Sequence, residues 1–284
     1  MSVLVLGAAG MAGHVISTYL RENKYDVDTL SAKNSFDKNT HHVDVTDQKR
    51  FRGFLDTHQY DIVINCIGLL VKQSDDNKAE AVYLNAYLPR LLEQQYQTSK
   101  TKIIHIGTDG VFSGGNPPYT ENSLCDGETF YGRTKALGDL ANDKDVTFRT
   151  SIIGPAMSQN GTGLFHWFYG QTGEISGYTN VMWSGITTIE LAKAIDAAIK
   201  QNLSGIYHLV PEESISKFDL LELFKETFDR KDLHVNPAEG AGINASMQNT
   251  RKDFDYKLPS YKTMLGDMKT WIEGHRKLYK HYEA

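Results

Sequence analysis

A tyrosine and a lysine stand four residues apart in the stretch Phe130-Tyr131-Gly132-Arg133-Thr134-Lys135. On a helix, positions i and i+4 share a face, so the Tyr131 phenol and the Lys135 ammonium are expected to lie side by side. A phenol has a reference pKa of about 10, and a neighbouring cation lowers that pKa towards neutrality. The pair therefore predicts a tyrosine that protonates a carbonyl oxygen while hydride reaches the carbonyl carbon.

A glycine-rich turn opens the chain in the context that a phosphate-binding loop requires. An apolar run from Val3 to Leu6 precedes the turn, and a helical pattern follows it as far as Leu20. Glycines allow the backbone to approach a pyrophosphate, and the N-terminus of the helix supplies free N–H groups and a partial positive charge. The predicted cofactor-binding residues of this turn are Gly7, Gly10, Met11 and Gly13.

Apolar runs and helical patterns alternate through the first half of the chain. This alternation predicts an α/β fold with a doubly wound parallel (Rossmann) sheet, whose ligands lie at the carboxyl ends of the strands. Thr108 and Asp109 follow directly after one such run and are therefore expected at that edge. The predicted strands are 3–6, 26–30, 41–45, 61–68, 102–106 and 145–149, and the predicted helices include 78–96 and one from about 130 to 142.

The pattern changes after Gly154, where a stretch rich in glycine and aromatic residues begins. We expect residues 1–154 to form the nucleotide-binding domain, with elements returning to it from about 186 to 210. Residues 155–284 are expected to form mainly a smaller substrate-binding lobe, with helices at 187–199, 217–228 and 261–279.

The end of the second strand indicates which dinucleotide is bound. An acidic residue there normally holds the adenosine ribose hydroxyl, but this chain has Ser31, Lys33 and Asn34 instead. A hydroxyl, an ammonium and an amide suit a 2′-phosphate, which favours NADP(H) over NAD(H); the alternative is an ordinary polar loop. Asp44 is expected near the adenine edge, with Val45 against the ring.

Further residues are expected along the cofactor. Asn65, Cys66 and Gly68 end the fourth strand, and Asn85 lies within the following helix. For two of these residues the alternative to a cofactor contact remains open. The alternative for Gly68 is a plain turn residue, and the alternative for Asn85 is a polar spot on a mostly buried helix. Cys66 ends an apolar run and is expected to be a buried thiol.

Composition excludes several classes of protein. The net charge of −5 gives no electrostatic reason to expect nucleic acid or an anionic membrane as partner. Two cysteines make neither a disulfide framework nor a zinc site, and His41 and His42 lack further ligands at useful spacing, so no metal is expected. No apolar run approaches membrane-spanning length, and a cytoplasmic location fits best.

Several motifs together resemble the extended short-chain dehydrogenase/reductase superfamily, and more closely the dTDP-4-dehydrorhamnose reductases and their relatives. The resemblance covers roughly the first half of the chain. Beyond it, Met182 to Thr188 replaces the family pattern Asp-Gln-x-Gly-x-Pro-Thr, which leaves the sugar and the base (dTDP or UDP) open. The motifs are Gly7-x-x-Gly10-x-x-Gly13, Asp44–Asp47, Thr108–Gly114, Pro118–Glu121, Tyr131-x-x-x-Lys135 and Arg149–Ser151.

The resemblance implies that NADPH reduces the C4 ketone of a nucleotide-linked 6-deoxyhexose. Thr108, Tyr131 and Lys135 would then be catalytic, with Thr108 bonded to the substrate oxygen and Lys135 also holding the nicotinamide ribose. Asp109 would either support these catalytic residues or cap the turn that follows it. The implied substrate-binding residues are Thr108, Asp109, Val111, Tyr131, Arg149, Trp183 and Arg251.

Three of these residues have plain alternatives. Arg149 is a phosphate ligand or a member of an ordinary salt bridge, and Arg251 is a pyrophosphate ligand or a solvated charge. Trp183 is expected at the site, whereas Trp167 is expected in the core.

A different class of protein shares the scaffold. Relatives such as the regulatory subunit of methionine adenosyltransferase bind dinucleotide and act as partners of an enzyme. They need the glycine turn but not the catalytic trio, and this chain retains Thr108, Tyr131 and Lys135. An enzyme is therefore favoured over a regulatory subunit. An epimerase or dehydratase on the same scaffold fits less well, and a homodimer is compatible with the sequence.

Overall fold

The computed structural model describes residues 1–33, 36–242 and 244–282. Its centre is a seven-stranded sheet in which every pair of neighbours is parallel, in the order β11-β6-β5-β4-β1-β2-β3. The predicted doubly wound α/β fold is confirmed. In chain order the strands are β1 (Ser2–Leu6), β2 (Asp26–Ser31), β3 (Thr40–His42), β4 (Ile62–Asn65), β5 (Lys102–Ile106), β6 (Val146–Arg149), β7 (Ser151–Ile153), β8 (Gly173–Tyr178), β9 (Met182–Trp183), β10 (Gly185–Thr187), β11 (Gly205–His208), β12 (Ile215–Ser216) and β13 (Leu233–Ala238).

Helices cover both faces of this sheet. Two short 3₁₀ turns, Asp109–Val111 and Lys280–Tyr282, and one π-helical segment, Val82–Tyr87, interrupt the regular elements. The α-helices are α1 (Met11–Glu22), α2 (Gln48–Thr57), α3 (Val71–Asp76), α4 (Lys78–Ala81), α5 (Leu88–Gln95), α6 (Phe130–Gly138), α7 (Leu164–Tyr169), α8 (Thr188–Lys200), α9 (Lys217–Thr227) and α10 (Tyr261–Gly274). No helix in the described part of the chain is both long and apolar enough to cross a membrane.

Strand β1 shows why the sheet is buried on both faces. Its side chains alternate, so Val3 and Val5 pack in one apolar cluster while Leu4 and Leu6 pack in another. The first cluster contains residues of α1 and α8, and the second contains residues of α2 and α5. Burial on both sides explains the nearly continuous apolar runs of the central strands.

The predicted helix at 78–96 is confirmed as one helical stretch from Lys78 to Gln95, but a π-helical segment at Val82–Tyr87 lies within it. Pro89 has no N–H to donate to the carbonyl of Asn85, four residues earlier, so the regular ladder cannot run through this point. Helix α6 uses the gap: a Cβ atom at Gly138 would lie 2.1 Å from that carbonyl oxygen. The π-helical segment therefore lets helix α6 approach the backbone at Asn85 closely.

Other predicted boundaries also differ from the structure. Strand β3 stops at His42, and the short helix α3 was missed. Helix α6 ends at Gly138 because Asp139 adopts an extended backbone and its carboxylate bonds with Arg149. Helix α10 ends at Gly274 rather than at Tyr279.

The later part of the chain adds three small strand pairs. Strands β7 and β10 pair in parallel, β9 and β12 pair antiparallel, and β8 and β13 pair in parallel. Strand β11 lies between β10 and β12 in the chain, and it returns to the edge of the central sheet beside β6. The division of the chain at residue 154 stays a prediction.

Candidate active site

The glycine turn connects β1 to α1. Gly7 has φ of +77°, a conformation that favours glycine, and its carbonyl oxygen accepts a hydrogen bond from the N–H of Gly10 at 2.9 Å. A Cβ atom at Gly13 would lie 2.3 Å from the same carbonyl oxygen. The backbone therefore folds closely against the start of the helix, and the residues present fit a pyrophosphate at the helix N-terminus.

His14 ties this turn to the far end of the chain. Its Nδ1–H donates to the carbonyl of Gly10 at 2.8 Å, and its Nε2 accepts from the hydroxyl of Tyr279 at 2.8 Å. Burial lowers the pKa of His14 to about 4, so the ring is neutral and can accept this second hydrogen bond. The sequence analysis missed His14, which has no motif of its own.

Thr108 and Asp109 lie in the turn after β5, at the carboxyl edge of the sheet. The N–H of Gly110 donates to the Thr108 hydroxyl oxygen at 3.1 Å, and that hydroxyl donates to Asp109 Oδ1 at 3.2 Å. The Ser151 hydroxyl donates to Asp109 Oδ2 at 2.7 Å. Asp109 therefore fixes Thr108 from one side, and Ser151 is a further member of the group that the sequence analysis did not select.

Helix α6 places Tyr131 and Lys135 beside this turn. The Thr129 hydroxyl accepts from the N–H of Gly132 at 3.0 Å and caps the helix start. A Cβ atom at Gly110 would lie 3.0 Å from Cε1 of the Tyr131 ring. The absence of a side chain at Gly110 thus makes room for the Tyr131 phenol next to Thr108.

Lys135 is buried beneath the phenol. Its Nζ donates to the carbonyl of Ile106 at 2.7 Å and lies 3.3 Å from Nε2 of His105. Burial lowers the pKa of Lys135 to about 8, while the charges of Asp139 and Cys66 act in the opposite direction. The lysine is held as a fixed group rather than as a mobile surface charge.

The expected effect of Lys135 on the phenol is not what the structure shows. Burial raises the pKa of Tyr131 to about 12; a hydrogen bond with Thr108 lowers it and the charge of Asp109 raises it. The Lys135 nitrogen is directed to Ile106 and His105 rather than to the phenol oxygen. Tyr131 therefore holds its proton at neutral pH, which is the form that a proton donor needs.

These groups share one cavity of about 480 Å³. Met11 and Ala12 at the start of α1 line one side, the residues after β4 and β5 line the next, and α6 contributes Tyr131 and Lys135, whereas the predicted Gly7, Gly10 and Gly13 are not among the lining residues. The predicted site residues that line it are Met11, Cys66, Gly68, Thr108, Asp109, Tyr131 and Lys135. The structure thus brings together predicted residues from four separate stretches of the chain.

The cavity rim includes residues that no motif indicated. Leu70 and Val71 are large apolar residues that remain about half exposed at its edge. Gly163, at φ of +107°, contributes from the later half of the chain. Exposed apolar side chains at a cavity mouth are a signal for ligand contact that only the coordinates show.

Asn85 does not face the cavity. Its Oδ1 accepts from the N–H of Leu69 at 2.8 Å, and its Nδ2 donates to the carbonyl of Leu69 and to the Thr134 hydroxyl, both at 3.2 Å. The side chain is fully buried between the loop at Gly68 and helix α6. Its expected contact with the cofactor is therefore replaced by a role in holding the loop that lines the cavity.

Asn65 is also fully buried, and it bonds with His105 and Ile67 rather than lining the cavity. Cys66 lies at the cavity wall, and burial raises the pKa of its thiol to about 12, so it is an inert wall residue. Among the described residues, no group of three or more His, Cys, Asp or Glu side chains is arranged to hold a metal ion.

The expected 2′-phosphate site lies at the carboxyl end of β2. Ser31 is the last residue of that strand, Lys33 is exposed, and Asn34 lies outside the described residues. Hydrogen bonds from Thr46 lower the pKa of Asp44, and the charge of Lys33 acts in the same direction. The two charged residues are therefore neighbours at this edge.

The Val45 side chain is not placed to cover an adenine ring. It is buried in the apolar cluster that contains Phe51, and its carbonyl accepts from the Tyr83 hydroxyl at 2.7 Å.

The expected phosphate contacts of Arg149 and Arg251 are not supported. Arg149 is buried, and its Nε donates to Asp139 at 2.7 Å. Arg251 lies over the Tyr207 ring at 4.2 Å and donates to Asp253. Both guanidinium groups already have carboxylate partners. The ordinary salt-bridge alternative therefore holds for Arg149, and Arg251 is a partly exposed charge paired with Asp253 rather than a free solvated one.

Three apolar predictions are corrected by burial. Val111 is fully buried beneath the Thr108 turn, beside Phe112 and Tyr119. Trp183 is only 5% exposed and belongs to the main core, whereas Trp167 is 43% exposed on α7. The expectations for the two tryptophans were therefore reversed, because aromatic residues in an irregular stretch carry no sequence signal for their direction.

Comparison with known proteins agrees with this geometry. A family model described as the RmlD substrate binding domain matches residues 1–281. A probable dTDP-4,6-dihydroxy-2-methyloxan-3-one 4-ketoreductase of Streptomyces antibioticus is 30% identical over 266 residues, which cover 86% of this chain and 82% of the relative.

Two further relatives extend the comparison. Methionine adenosyltransferase 2 subunit beta of Danio rerio is 28% identical over 267 residues, which cover 87% of this chain and 80% of that protein. A dTDP-4-dehydrorhamnose reductase from Bacillus anthracis, solved in complex with NADP, superposes with a TM-score of 0.81 at 24% identity and covers 95% of this chain and 99% of that one. The structural likeness shows the fold. The resemblance inferred from the motifs is confirmed, and the chain belongs to the RmlD substrate binding domain family.

Proposed function

We propose that this protein is an NADPH-dependent reductase of the C4 ketone of a nucleotide-linked 6-deoxy-4-keto-hexose. The observation that carries the proposal is one cavity lined by Thr108, Tyr131 and Lys135 and by Met11 and Ala12, the first residues of the helix that follows the glycine turn. A regulatory subunit needs the turn alone, whereas a reductase needs all four. When bound, the nicotinamide supplies hydride to the ketone carbon.

The chain's own residues account for the proton. Tyr131 is protonated at neutral pH because burial raises its pKa to about 12, so it can donate to the oxygen as negative charge develops there. Thr108, which hydrogen-bonds with Tyr131, orients the same oxygen. Lys135 lies at the cavity wall and supplies a hydrogen-bond donor for the ribose.

The substrate class follows from the relatives and from the cavity together. The Streptomyces antibioticus relative is named as a 4-ketoreductase of a dTDP-linked sugar. A ligand with an apolar methyl group also suits a rim that contains Leu70 and Val71. We include UDP-linked and 2-acetamido sugars in the proposal because the stretch 182–188 departs from the family pattern.

NADP(H) rather than NAD(H) is proposed from the end of β2. No acidic residue occupies the described part of that strand end, and Lys33 is exposed there. The relative from Bacillus anthracis was solved with NADP, which is consistent with this choice. Asp44 beside Lys33 is a carboxylate in the same region, and Lys33 offsets its charge.

The decisive assay follows NADPH absorbance with dTDP- and UDP-linked 4-keto-6-deoxyhexoses. We expect oxidation with at least one of them. Tyr131→Phe should keep NADPH binding and reduce turnover by at least about 100-fold, since a positioned general acid contributes 10²–10⁴ in rate. Tyr87→Phe, on an exposed tyrosine, is the matched control and should not change activity.

The competing function is that of a dinucleotide-binding regulatory subunit, like the methionine adenosyltransferase relative. Tight NADPH binding without oxidation by any of these sugars, together with a stable complex with a methionine adenosyltransferase catalytic subunit, would favour it. Full activity of Tyr131→Phe would instead show that the proton donor is misassigned.

A further inference from the structure

His105 is a buried titratable side chain in β5 that the proposed reaction does not use directly. Burial, more than the charge of Lys135, holds its pKa well below the ordinary value, so the ring is neutral. Its Nε2 lies 3.3 Å from Lys135 Nζ, and its Nδ1 lies 3.2 Å from Nδ2 of Asn65. A neutral imidazole has one donor nitrogen and one acceptor nitrogen, so its two neighbours decide which one carries the proton.

The backbone fixes the orientation of Asn65. The N–H of Ile67 donates to Asn65 Oδ1 at 3.1 Å. A backbone N–H is always a donor, so the side-chain atom facing it must be the oxygen, and the amide nitrogen must face His105. That nitrogen is a donor, which makes His105 Nδ1 the acceptor and places the ring proton on Nε2.

The ring of His105 therefore points an N–H at Lys135. An ammonium has no lone pair to accept this hydrogen bond, whereas a neutral amine has one. The hydrogen bonds form a chain that begins at the Ile67 N–H and ends at the Ile106 carbonyl. If Lys135 is an amine, each donor in this chain faces an acceptor. If Lys135 is an ammonium, its N–H and the His105 N–H face each other at 3.3 Å.

Other charges around Lys135 act against this arrangement. Asp139 on the same helix and Cys66 at the end of β4 favour the ammonium. Arg149 on β6 is paired with Asp139, which weakens that effect. Tyr131, one turn earlier on α6, is neutral. Burial opposes the ammonium and lowers the pKa of Lys135 to about 8. An N–H of His105 directed at the same nitrogen would act in the same direction as burial.

We propose that Asn65 and His105 are positioning residues that set the protonation state of Lys135. Asn65 holds the ring of His105 as the Nε2–H tautomer, and the ring donates to the lysine nitrogen instead of accepting from it. The kinetic part of the test rests on the proposed function, but the tautomer and the titration of Lys135 are measurable without turnover.

The direct test is ¹⁵N NMR of histidine-labelled protein, with the His105 signals assigned by their loss in His105→Phe. The wild type should show the proton on Nε2. Asn65→Asp should move it to Nδ1, because a carboxylate can accept from both the Ile67 N–H and the ring. A wild-type ring protonated on Nδ1 would overturn the proposal, whether or not the variants fold.

The consequence for Lys135 is tested by pH titration. With the ring turned into an acceptor, the proton affinity of Lys135 should rise about tenfold or more, so the alkaline fall of kcat/KM should move up by about one pH unit. A ¹³C titration of labelled lysine, assigned with Lys135→Met, reports the same shift if no substrate is turned over. An unmoved titration in Asn65→Asp would contradict the relay.

The double variant Asn65→Asp/His105→Phe separates the relay from simple charge attraction. Without the imidazole, the added carboxylate can act on Lys135 only through space. We expect most of the shift to disappear in the double variant relative to His105→Phe alone. An equal shift in the presence and absence of the ring would show that the tautomer has no role.

Discussion

The carbonyl oxygen of Gly110 lies 2.1 Å from the position that a Cβ atom at Gly132 would occupy. The turn that carries Thr108 and the helix that carries Tyr131 are therefore in direct backbone contact. No flexible side chain separates them, so a change at this contact must move one of the two backbones. This contact between Gly110 and Gly132 sets the separation between Thr108 and Tyr131.

We predict that Gly132→Ala lowers kcat by about 100-fold, because a displacement near 1 Å of a catalytic group has an effect of that size. Steady-state kinetics with NADPH and the sugar substrate measures it. The matched control is Gly53→Ala in α2, where an added Cβ meets nothing within 4 Å. That control should leave kcat unchanged; normal activity of Gly132→Ala would show that the contact relaxes easily.

We predict that Gly13→Ala abolishes dinucleotide binding, because its Cβ would lie 2.3 Å from the Gly7 carbonyl oxygen and would push the turn away from the helix. Isothermal titration with NADPH is the measurement. Gly266→Ala, on α10 with open space around the added Cβ, is the control and should bind normally. Unchanged affinity in Gly13→Ala would mean that the turn does not hold the pyrophosphate.

We predict that Lys33→Ala raises KM for NADPH about tenfold and leaves KM for NADH unchanged. The reason is that the Lys33 ammonium would contact the 2′-phosphate, the group that NADH lacks. The effect should shrink as salt increases, since exposed charges are screened. Lys38→Ala, also exposed in the same loop, is the control. Equal effects on both dinucleotides would contradict a 2′-phosphate contact.

We predict a pH-dependent stability difference between the wild type and Lys135→Met. The folded pKa of Lys135 is about 8, below its ordinary 10.5, so the unfolded state binds more protons between these values and wild-type stability rises with pH across that window. The free energy of unfolding of Lys135→Met relative to the wild type should therefore fall by about 3 kcal/mol from pH 8 to 10.5. Urea unfolding at several pH values measures it, and a constant difference would contradict the buried lysine.

We predict that Arg149→Met destabilises the fold by about 3–5 kcal/mol, because it leaves the Asp139 carboxylate buried without its cation. Arg149→Met/Asp139→Leu should recover much of this loss, whereas Lys72→Met, on a fully exposed ion pair, should have little effect. Thermal unfolding provides the measurement. A large rise in substrate KM with normal stability would instead restore Arg149 as a phosphate ligand.

The parts of the site that the sequence predicted have local signals. The glycine turn lies between a strand and a helix, Thr108 follows a strand, and Tyr131 and Lys135 have helical spacing. Parallel strands bring such features to one edge, so the cavity follows from the fold class. Each of these predictions needed only short-range pattern and the topology.

The predictions that failed depended on partners distant in the chain or on the direction of a side chain. Arg149 looks like a phosphate ligand until Asp139 is seen beside it, and Trp183 resembles Trp167 until their burial is known. His105 alternates with apolar residues in β5 and looks like an ordinary core residue. Its contact with Lys135 joins two elements, and no spacing within one element reports it.

The contact between His14 and Tyr279 spans 265 positions and has a practical consequence for handling the protein. Shortening the chain before Tyr279 would release a side chain that steadies the Gly10 carbonyl through an imidazole. Removing these residues should therefore weaken dinucleotide affinity, although Tyr279 reaches the glycine turn only through His14. Proteolytic clipping of these last residues during purification would look like a damaged cofactor site.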